Sequence, residues 1–449
     1  MSKPLVLTCD IGTQSARALL VDPDGRIVDV VQSKYAEPYF SKEPGWAEQK
    51  PNFYFDRLCE CCRELCARSN ALLPDVIAMT ITVIRDTVVC LDANNEPLRD
   101  IILWLDKRTV DPNGAMPAKN MMLFKVAGME PTAKVVYAAS VGNWIMRHEP
   151  EIWARTAKYV MLPTYLNYKL TGNLIDSASN QIGHIPFGLA VVDSDKASIS
   201  LGTTATIQFS TTEYVEPQQF LPAYPGVLND HYNPEIEIYR GLWLLSWFVK
   251  EFGTADAIDA KEKGMAPEAL LDARIRDLPA GSDGLLLQPY WTAGILHPDS
   301  LGAVIGFSDY HTRYRAIIEG LCLELYMALR IMEDRSGLTI HEIRIGGGGA
   351  KSDVVCQIAA DVFGLPVVRS QTHEACSIGS SMVAFVAKGV FSDFDAAAKA
   401  MVHVKDTFQP NERNHEVYND IYEQAYRKIY PRLRPIYQKL IQVKRRIAQ

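Results

Sequence analysis

Three glycine-containing segments could hold an anion with the backbone: Asp10-Ile11-Gly12-Thr13-Gln14-Ser15, Gly202-Thr203-Thr204 and Gly346–Gly349. Glycine lets the main chain approach a phosphate closely and supplies N–H donors. Thr and Ser hydroxyls add further donors. Asp10, at the end of an apolar run, is suited to hold Mg2+ through water. The four-glycine run precedes a helical pattern, and a helix N-terminus favours an anion or a nucleotide. One such segment alone is more often a plain turn. Three in order, two of them in repeated hairpins, point to a nucleotide cleft between domains. Gly346–Ser352 is not a Walker loop, because Ala350 rather than glycine precedes Lys351. A dinucleotide fold is also disfavoured, since these glycines come late and no acidic residue follows at the expected distance.

The elements that must position these residues can be read from apolar pattern. Leu5–Cys9 and Ala16–Val21 are apolar strands, Asp22–Gly25 (DPDG) is a turn, and Arg26–Lys34 alternates as a third strand. A helix is expected over Asn52–Ser69, strands over Val76–Thr82 and Val88–Asp92, and helices over Ala138–Arg147, Glu151–Ala157 and Tyr165–Leu170. Near the middle the opening pattern returns: strand Ala197–Leu201, turn Gly202–Thr204, strand Ala205–Ser210. That repetition suggests two copies of one architecture. Helix Leu242–Phe252, strand Gly284–Pro289 and a long helix from Thr312 to Arg335 follow. A strand then enters Gly346–Gly349, a helix runs to Phe363, Val367–Val368 is a short strand, and Cys376–Ala387 is a helix. From Glu416 the chain is helical and basic. Strands alternating with helices define an α/β chain.

Composition excludes several classes. Of 449 residues 48% are hydrophobic, so a large core is available and global disorder is excluded. The formal net charge of −7 argues against a general nucleic-acid binder, which needs a basic face. No apolar run reaches the roughly 18 residues of a membrane span, and MSKPLVLTCDIG is too short and acidic for a signal peptide. A cytoplasmic protein without membrane partners is therefore expected. Nine cysteines do not suggest a disulfide framework. Cys59, Cys62 and Cys66 share a helical face with Leu58 and Leu65, which reads as packing rather than as a metal site. The basic tail (Arg427, Lys428, Arg432, Arg434, Lys439, Lys444, Arg445, Arg446) reads as the solvated face of an amphipathic helix.

Longer stretches carry a family signature. DIGTQSARALLVD, PGWAEQKP (Pro44–Pro51), LRDIILWLDKRT (Leu98–Thr109), Glu149–Gly172, KASISLGTTATI and GGGGAKSDVVCQIAADVFGLPVV followed by EACSIGSS together resemble the FGGY carbohydrate kinases, of the actin/hexokinase/Hsp70 superfamily. The resemblance spans essentially the whole chain. It implies two actin-like (ribonuclease H-like) α/β domains flanking a nucleotide cleft, 1–192 on the sugar side and 193–449 on the ATP side. It also implies ATP- and Mg2+-dependent phosphorylation of a hydroxyl on a small sugar or polyol, a ketose such as xylulose, with glycerol as the alternative. Asp10 would organise Mg2+. Gly12, Thr13, Gln14, Thr203 and Thr204 would cradle phosphates, and Gly347, Gly348 and Ala350 would line the nucleotide. Arg85 and Asp86 stand where glycerol kinases carry an Arg-Glu pair, and Trp104 at a substrate-contacting position. A carboxylate and a guanidinium can bind neighbouring hydroxyls while an aromatic face covers the C–H side. Read without the family, Arg85 and Asp86 would be a surface ion pair and Trp104 core. A homodimer is left open.

The sequence departs from that pattern in one place that matters. The family's base is an Asp in a glycine-rich stretch beyond a connector of several tens of residues. Here SNQIGHIPF (Ser179–Phe187) runs directly into GLAVVDSDKASISLGTT, so the connector and its Asp are missing at Phe187–Gly188. Either the protein carries a further segment at that join, or it lacks the base and is a non-catalytic sugar- or nucleotide-binding paralogue. Asp195 superficially resembles the base, but it stands only seven residues before Gly202 and, with Asp193, is expected in the turn ahead of the strand. His184 lies beside the join and is given no role. Thr164 is a second departure, since relatives often have Asp there.

Overall fold

The computed structural model describes residues 3–113, 118–126, 130–175, 195–218, 221–226, 228, 230–294, 296–307 and 309–447. The join at Phe187–Gly188, with His184 and Asp193, lies outside the described residues. The chain forms two units: Met1–His184 with Cys376–Met401, and Ile185–Ala375 with Val402–Gln449.

In the first unit β1 (Leu5–Ile11), β2 (Ser15–Val21) and β3 (Ile27–Lys34) make the expected meander. Asp22 caps its second turn, accepting from the N–H groups of Asp24 (3.0 Å) and Arg26 (2.9 Å). β3 alternates because its outer face meets water, whereas β1 and β2 are covered. β4 (Glu48–Gln49) precedes helix α1 (Phe53–Arg68), and β5 (Val76–Val83) pairs parallel with β1, giving the sheet order β3-β2-β1-β5. The buried stripe of α1 is Tyr54, Leu58, Cys61 and Leu65, so it runs through Cys61 and leaves Cys62 half-buried, unlike the cysteine face expected from spacing. A second sheet, ordered β4-β7-β6-β8, is built from β6 (Val88–Leu91), β7 (Ile101–Ile102) and β8 (Lys158–Met161). Helices α2 (Ala118–Val126), α3 (Glu130–Ala139), α4 (Val141–His148), α5 (Pro150–Arg155) and α6 (Leu162–Thr171) complete this passage. Thr164 is buried in the first turn of α6.

The second unit opens with β9 (Lys196–Leu201) and β10 (Ala205–Phe209), then the short pair β11 (Tyr224–Pro225) and β12 (Tyr232–Asn233), and β13 (Glu235–Ile238). Helices α7 (Trp243–Phe252), α8 (Thr254–Glu262) and α9 (Pro267–Ile275) follow, then the hairpin β14 (Leu286–Gln288) and β15 (Ala303–Ile305). The long α10 (Tyr310–Ser336) leads through β16 (Glu342–Gly346) and α11 (Asp353–Phe363) to β17 (Val367–Ser370). Helices α12 (Ala375–Ala387) and α13 (Phe394–Met401) pack in the first unit, after which β18 (Val404–Phe408), α14 (Glu412–Ile421) and α15 (Arg427–Ile447) close the second. The central sheet is ordered β13-β10-β9-β16-β17-β18.

The suggested repeat is real at the level of topology. In each unit a hairpin has its second strand bordered by an antiparallel third strand, and its first strand bordered by a later parallel one: β3-β2-β1-β5 and β13-β10-β9-β16. The hydroxyl-bearing face of the first sheet receives α12. Thr8 Oγ1 lies 2.7 Å from Ser381 Oγ and 3.1 Å from Thr80 Oγ1, and Thr80 donates to Ser380 at 3.2 Å. The segment EACSIGSS thus supplies two serines to β1 and β5.

Buried charge in the second unit lies along α10. Arg315 donates to Glu319 at 2.7 Å and to the Tyr418 hydroxyl at 3.0 Å. Glu324 accepts from the hydroxyls of Tyr290 and Tyr426. Burial pushes the Glu324 carboxyl up to about 7. His297 stacks on Tyr430 at 3.8 Å, and burial pushes its imidazole down to about 4.

Candidate functional site

Residues expected to do chemistry gather at the carboxyl ends of parallel strands, where α/β sheets present ligand sites. In the first unit, Asp10 and Ile11 run beside Thr82 and Val83 in register, and the Ile84 N–H donates to the Ile11 carbonyl at 3.0 Å. Arg85 and Asp86 therefore follow directly alongside Gly12 and Thr13. Asp86 is exposed and holds a left-handed φ of 51°, a conformation Asp tolerates better than most residues. Arg85 is half-buried, and its carbonyl accepts from Thr87 Oγ1 at 3.2 Å.

Asp10 is oriented from two sides. Its Oδ1 accepts from Thr82 Oγ1 at 2.8 Å, and its Oδ2 pairs with Arg17 Nη1 at 3.0 Å. The hairpin register sets Asp10 directly opposite Arg17. A partly exposed carboxylate beside the Thr82 hydroxyl is a hard oxygen donor that fits Mg2+ reached through water.

The two bends are closed in a similar way, the first being one residue longer. Gly12 N–H donates to Ser15 O at 2.9 Å, and Gly202 N–H to Thr204 O at 2.9 Å. In each, a bend carbonyl accepts from a residue following the third strand: Gln14 O from Tyr35 N, and Thr203 O from Gly241 N. Among the described residues the N–H groups of Thr13, Gln14 and Thr203 meet no acceptor, so they remain available to an anion. Gly241 stands so close to the second bend that a Cβ there would lie 2.4 Å from the Thr204 carbonyl carbon. Sequence reasoning missed it. Its signal was a lone glycine just ahead of a helix.

In the second unit Gly346 pairs with Ser200, so Gly347 and Gly348 emerge beside Gly202 and Thr203. Gly347 has φ of +77°, and a Cβ there would lie 2.7 Å from Leu201 O, which requires glycine on both counts. A short 3-10 turn, Gly348–Lys351, separates these glycines from α11. Gly348 is exposed, but Ala350 is 2% exposed, with its carbonyl taken by Arg369 Nη1 at 2.9 Å. Ala350 thus packs inward, beneath that turn, and presents no side chain to a ligand. Asp195 is exposed at the start of β9, and its carbonyl accepts from His341 N. The six-residue strand separates it from Gly202 by about 20 Å, and the structure does not bring the two together.

Trp104 is held by a polar scaffold that pattern reading overlooked. Leu103 N–H donates to Ala47 O at 3.0 Å, and Asp106 Oδ2 accepts from Ala47 N–H at 2.6 Å. Arg108 grips Asp106 with Nε (2.8 Å) and Nη2 (2.7 Å), reaches Glu48 Oε1 with Nη1 (3.0 Å), and lies 3.8 Å from the Trp46 ring centre. Arg99 also donates to Glu48. The segments PGWAEQKP and LRDIILWLDKRT are thus two halves of one buried ion cluster. From this support the Trp104 indole Nε1–H donates to Thr13 Oγ1 at 3.0 Å.

Among the described residues no group of three or more His, Cys, Asp or Glu side chains is placed to hold a metal ion, and no helix is long and apolar enough to cross a membrane.

Known proteins match this chain over most of its length. A model described as the FGGY family of carbohydrate kinases, N-terminal domain, matches residues 5–186, and its C-terminal-domain counterpart matches residues 197–388. The uncharacterized sugar kinase YgcE of Escherichia coli is 25% identical over 452 residues, spanning 93% of this chain and 92% of its own. A xylulose kinase of Staphylococcus epidermidis is 25% identical over 503 residues, spanning 93% and 95%. The crystal structure of a ligand-bound xylulose kinase from Lactobacillus acidophilus matches with a TM-score of 0.78 at 18% identity, covering 97% of this chain and 100% of that one.

Proposed function

This chain belongs to the FGGY family of carbohydrate kinases, and on that premise we propose that it transfers the terminal phosphoryl group of ATP to a hydroxyl of a small ketose such as xylulose. The observation that carries the reading is the pair of like-built bends after β1 and β9, each offering threonine hydroxyls and backbone N–H groups without protein acceptors. Phosphoryl transfer asks mainly for alignment and for donors aimed at spreading negative charge.

In the first unit, Gly12, Thr13 and Gln14 supply donors to phosphate oxygens, and Asp10 is the group that would hold Mg2+ through water. Bound Mg2+ would neutralise phosphate charge. Arg85 and Asp86 would address neighbouring hydroxyls of the acceptor, with the Trp104 ring against its C–H face. In the second unit, Thr203 and Thr204 serve phosphates, and Gly347 and Gly348 let the nucleotide lie against the main chain. Asp195 has no part in this reading, since β9 carries it away from its own bend.

A coupled assay of ADP release across pentuloses, hexuloses and polyols tests the proposal. A ketopentose should stimulate ADP release in the presence of Mg2+. One observation favours a second reading. The alignment with the Staphylococcus epidermidis xylulose kinase runs over 503 positions, longer than this 449-residue chain, so that relative carries residues with no counterpart here. If those residues include the base, the chain is a sugar- or nucleotide-binding paralogue. Saturable ATP binding with no acceptor-stimulated ADP release would establish that second reading and overturn the first.

A further inference from the structure

We propose that Cys9 and Cys62 are a redox pair, and that their oxidation to a disulfide locks α1 to β1 immediately behind the first bend. Their sulfurs lie 3.4 Å apart, joining residues 53 positions apart in sequence. Two other α1 cysteines are placed differently: Cys61 Sγ faces Ala16 O at 3.6 Å, and Cys59 packs at the edge of the core. Cys9 is fully buried in β1, whereas Cys62 is only partly covered. An oxidant therefore meets Cys62 first, and Cys9 is in place to resolve the product.

The chemistry balances with a peroxide as oxidant. The Cys62 sulfur attacks one peroxide oxygen, the O–O bond breaks, and water leaves with the thiol proton, giving a sulfenic acid. The Cys9 sulfur then attacks the Cys62 sulfur. The S–O bond breaks and a second water leaves with the Cys9 proton. Two thiols and one hydrogen peroxide become one disulfide and two waters, with two electrons passing from sulfur to oxygen. A dithiol reductant reverses the bond by two exchanges.

The consequence follows from position. Forming a bond of about 2.05 Å draws the sulfurs together by roughly 1.4 Å. Cys9 immediately precedes Asp10, whose carboxylate is set by Thr82 and Arg17. A displacement on that scale at a phosphate-aligning strand costs on the order of tenfold or more in turnover.

The test uses the full chain. Hydrogen peroxide is added at a dose that oxidises the exposed Cys376, remaining thiols are alkylated after unfolding, and unreduced tryptic peptides are identified by mass spectrometry. The peptide containing Cys9 is expected joined to peptide 58–63, lighter by two hydrogens than the reduced pair. The link should vanish in Cys62→Ser and in Cys62→Ala, and persist in Cys59→Ser. Cys9 recovered fully alkylated at that dose, or a link surviving in Cys62→Ser, overturns the pair. These readouts do not depend on the phosphotransfer reading. Where ADP release is measured, the oxidised wild type should lose activity on the order of tenfold and regain it with dithiothreitol, while Cys62→Ser resists. A linked protein of unchanged activity overturns the effect assigned to the lock.

Discussion

The indole N–H of Trp104 donates to the hydroxyl of Thr13 across 3.0 Å. An indole can only donate, so the Thr13 oxygen acts as acceptor in that bond and its own O–H is directed elsewhere. That leaves the hydroxyl proton for a phosphate oxygen. The bond ties the aromatic side chain assigned to the acceptor to the bend assigned to phosphate, within one unit.

Trp104→Phe keeps a ring and deletes the donor. The expected loss in kcat/KM for the acceptor is roughly fivefold to tenfold, equivalent to one ordinary hydrogen bond. In a double-mutant cycle with Thr13→Ala the two losses should be non-additive by about 1 kcal/mol. Additive effects would mean the 3.0 Å bond carries nothing in turnover.

Gly241→Ala places a methyl group against the backbone of Thr204, which cannot yield as a flexible side chain would. The second bend must move. ATP affinity by isothermal titration should fall at least tenfold, on the scale of a misplaced phosphate donor, while far-ultraviolet circular dichroism stays that of the wild type. Undiminished affinity would remove the second bend from the nucleotide site.

Arg108→Met leaves Asp106 and Glu48 buried with one cation fewer between them. Breaking a buried pair from one side costs about 3–5 kcal/mol. A drop of that size in urea unfolding is expected, accompanied by a weakened acceptor KM because Asp106 also holds the turn carrying Trp104. A stability change within about 0.5 kcal/mol, the range of an ordinary surface substitution, would contradict the cluster's role.

Glu324 and His297 should give opposing pH dependences. Glu324 titrates near 7 in the fold against 4.5 in the unfolded chain, so its contribution is full below 4.5 and is lost as pH rises to 7. His297 titrates near 4 against 6.5, so its contribution is full above 6.5 and is lost as pH falls to 4. His297 Nε2 lies 3.7 Å from Glu324 Oε1, so the two titrate as a pair, and over the shared window their opposing slopes offset one another. Relative to wild type, Glu324→Gln should gain stability as pH rises from 5 to 7, and His297→Phe should lose it. Urea midpoints at the two pH values measure both. Parallel behaviour of the two variants would refute the cancellation.

Much of this architecture is legible in the amino-acid sequence. The hairpins β1–β2 and β9–β10, helix α1 and the long α10 follow from apolar period and turn residues, because these are local signals. The segments carrying Asp10, Gly12, Thr203 and Gly347 were legible for the same reason. Two-residue strands such as β4 and β7 were not, since two residues carry no period. The ion cluster of Glu48, Arg99, Asp106 and Arg108 was invisible because charged residues read as surface until a fold buries them together. The burial of the Ala350 side chain is not legible either, because a position inside a glycine-rich motif says nothing about which way its Cβ points. The Asp10–Arg17 pair could have been found by counting across the bend.

Because α12 and α13 belong with β1 and β5, the first unit is completed by residues that leave the ribosome long after its opening strands. Until Ser380 and Ser381 emerge, Thr8 and Thr80 lack the partners that cover them in the finished protein. This chain therefore cannot mature strictly in order of translation, and its earliest-made sheet must wait, half-clothed, for a helix that is made near the end.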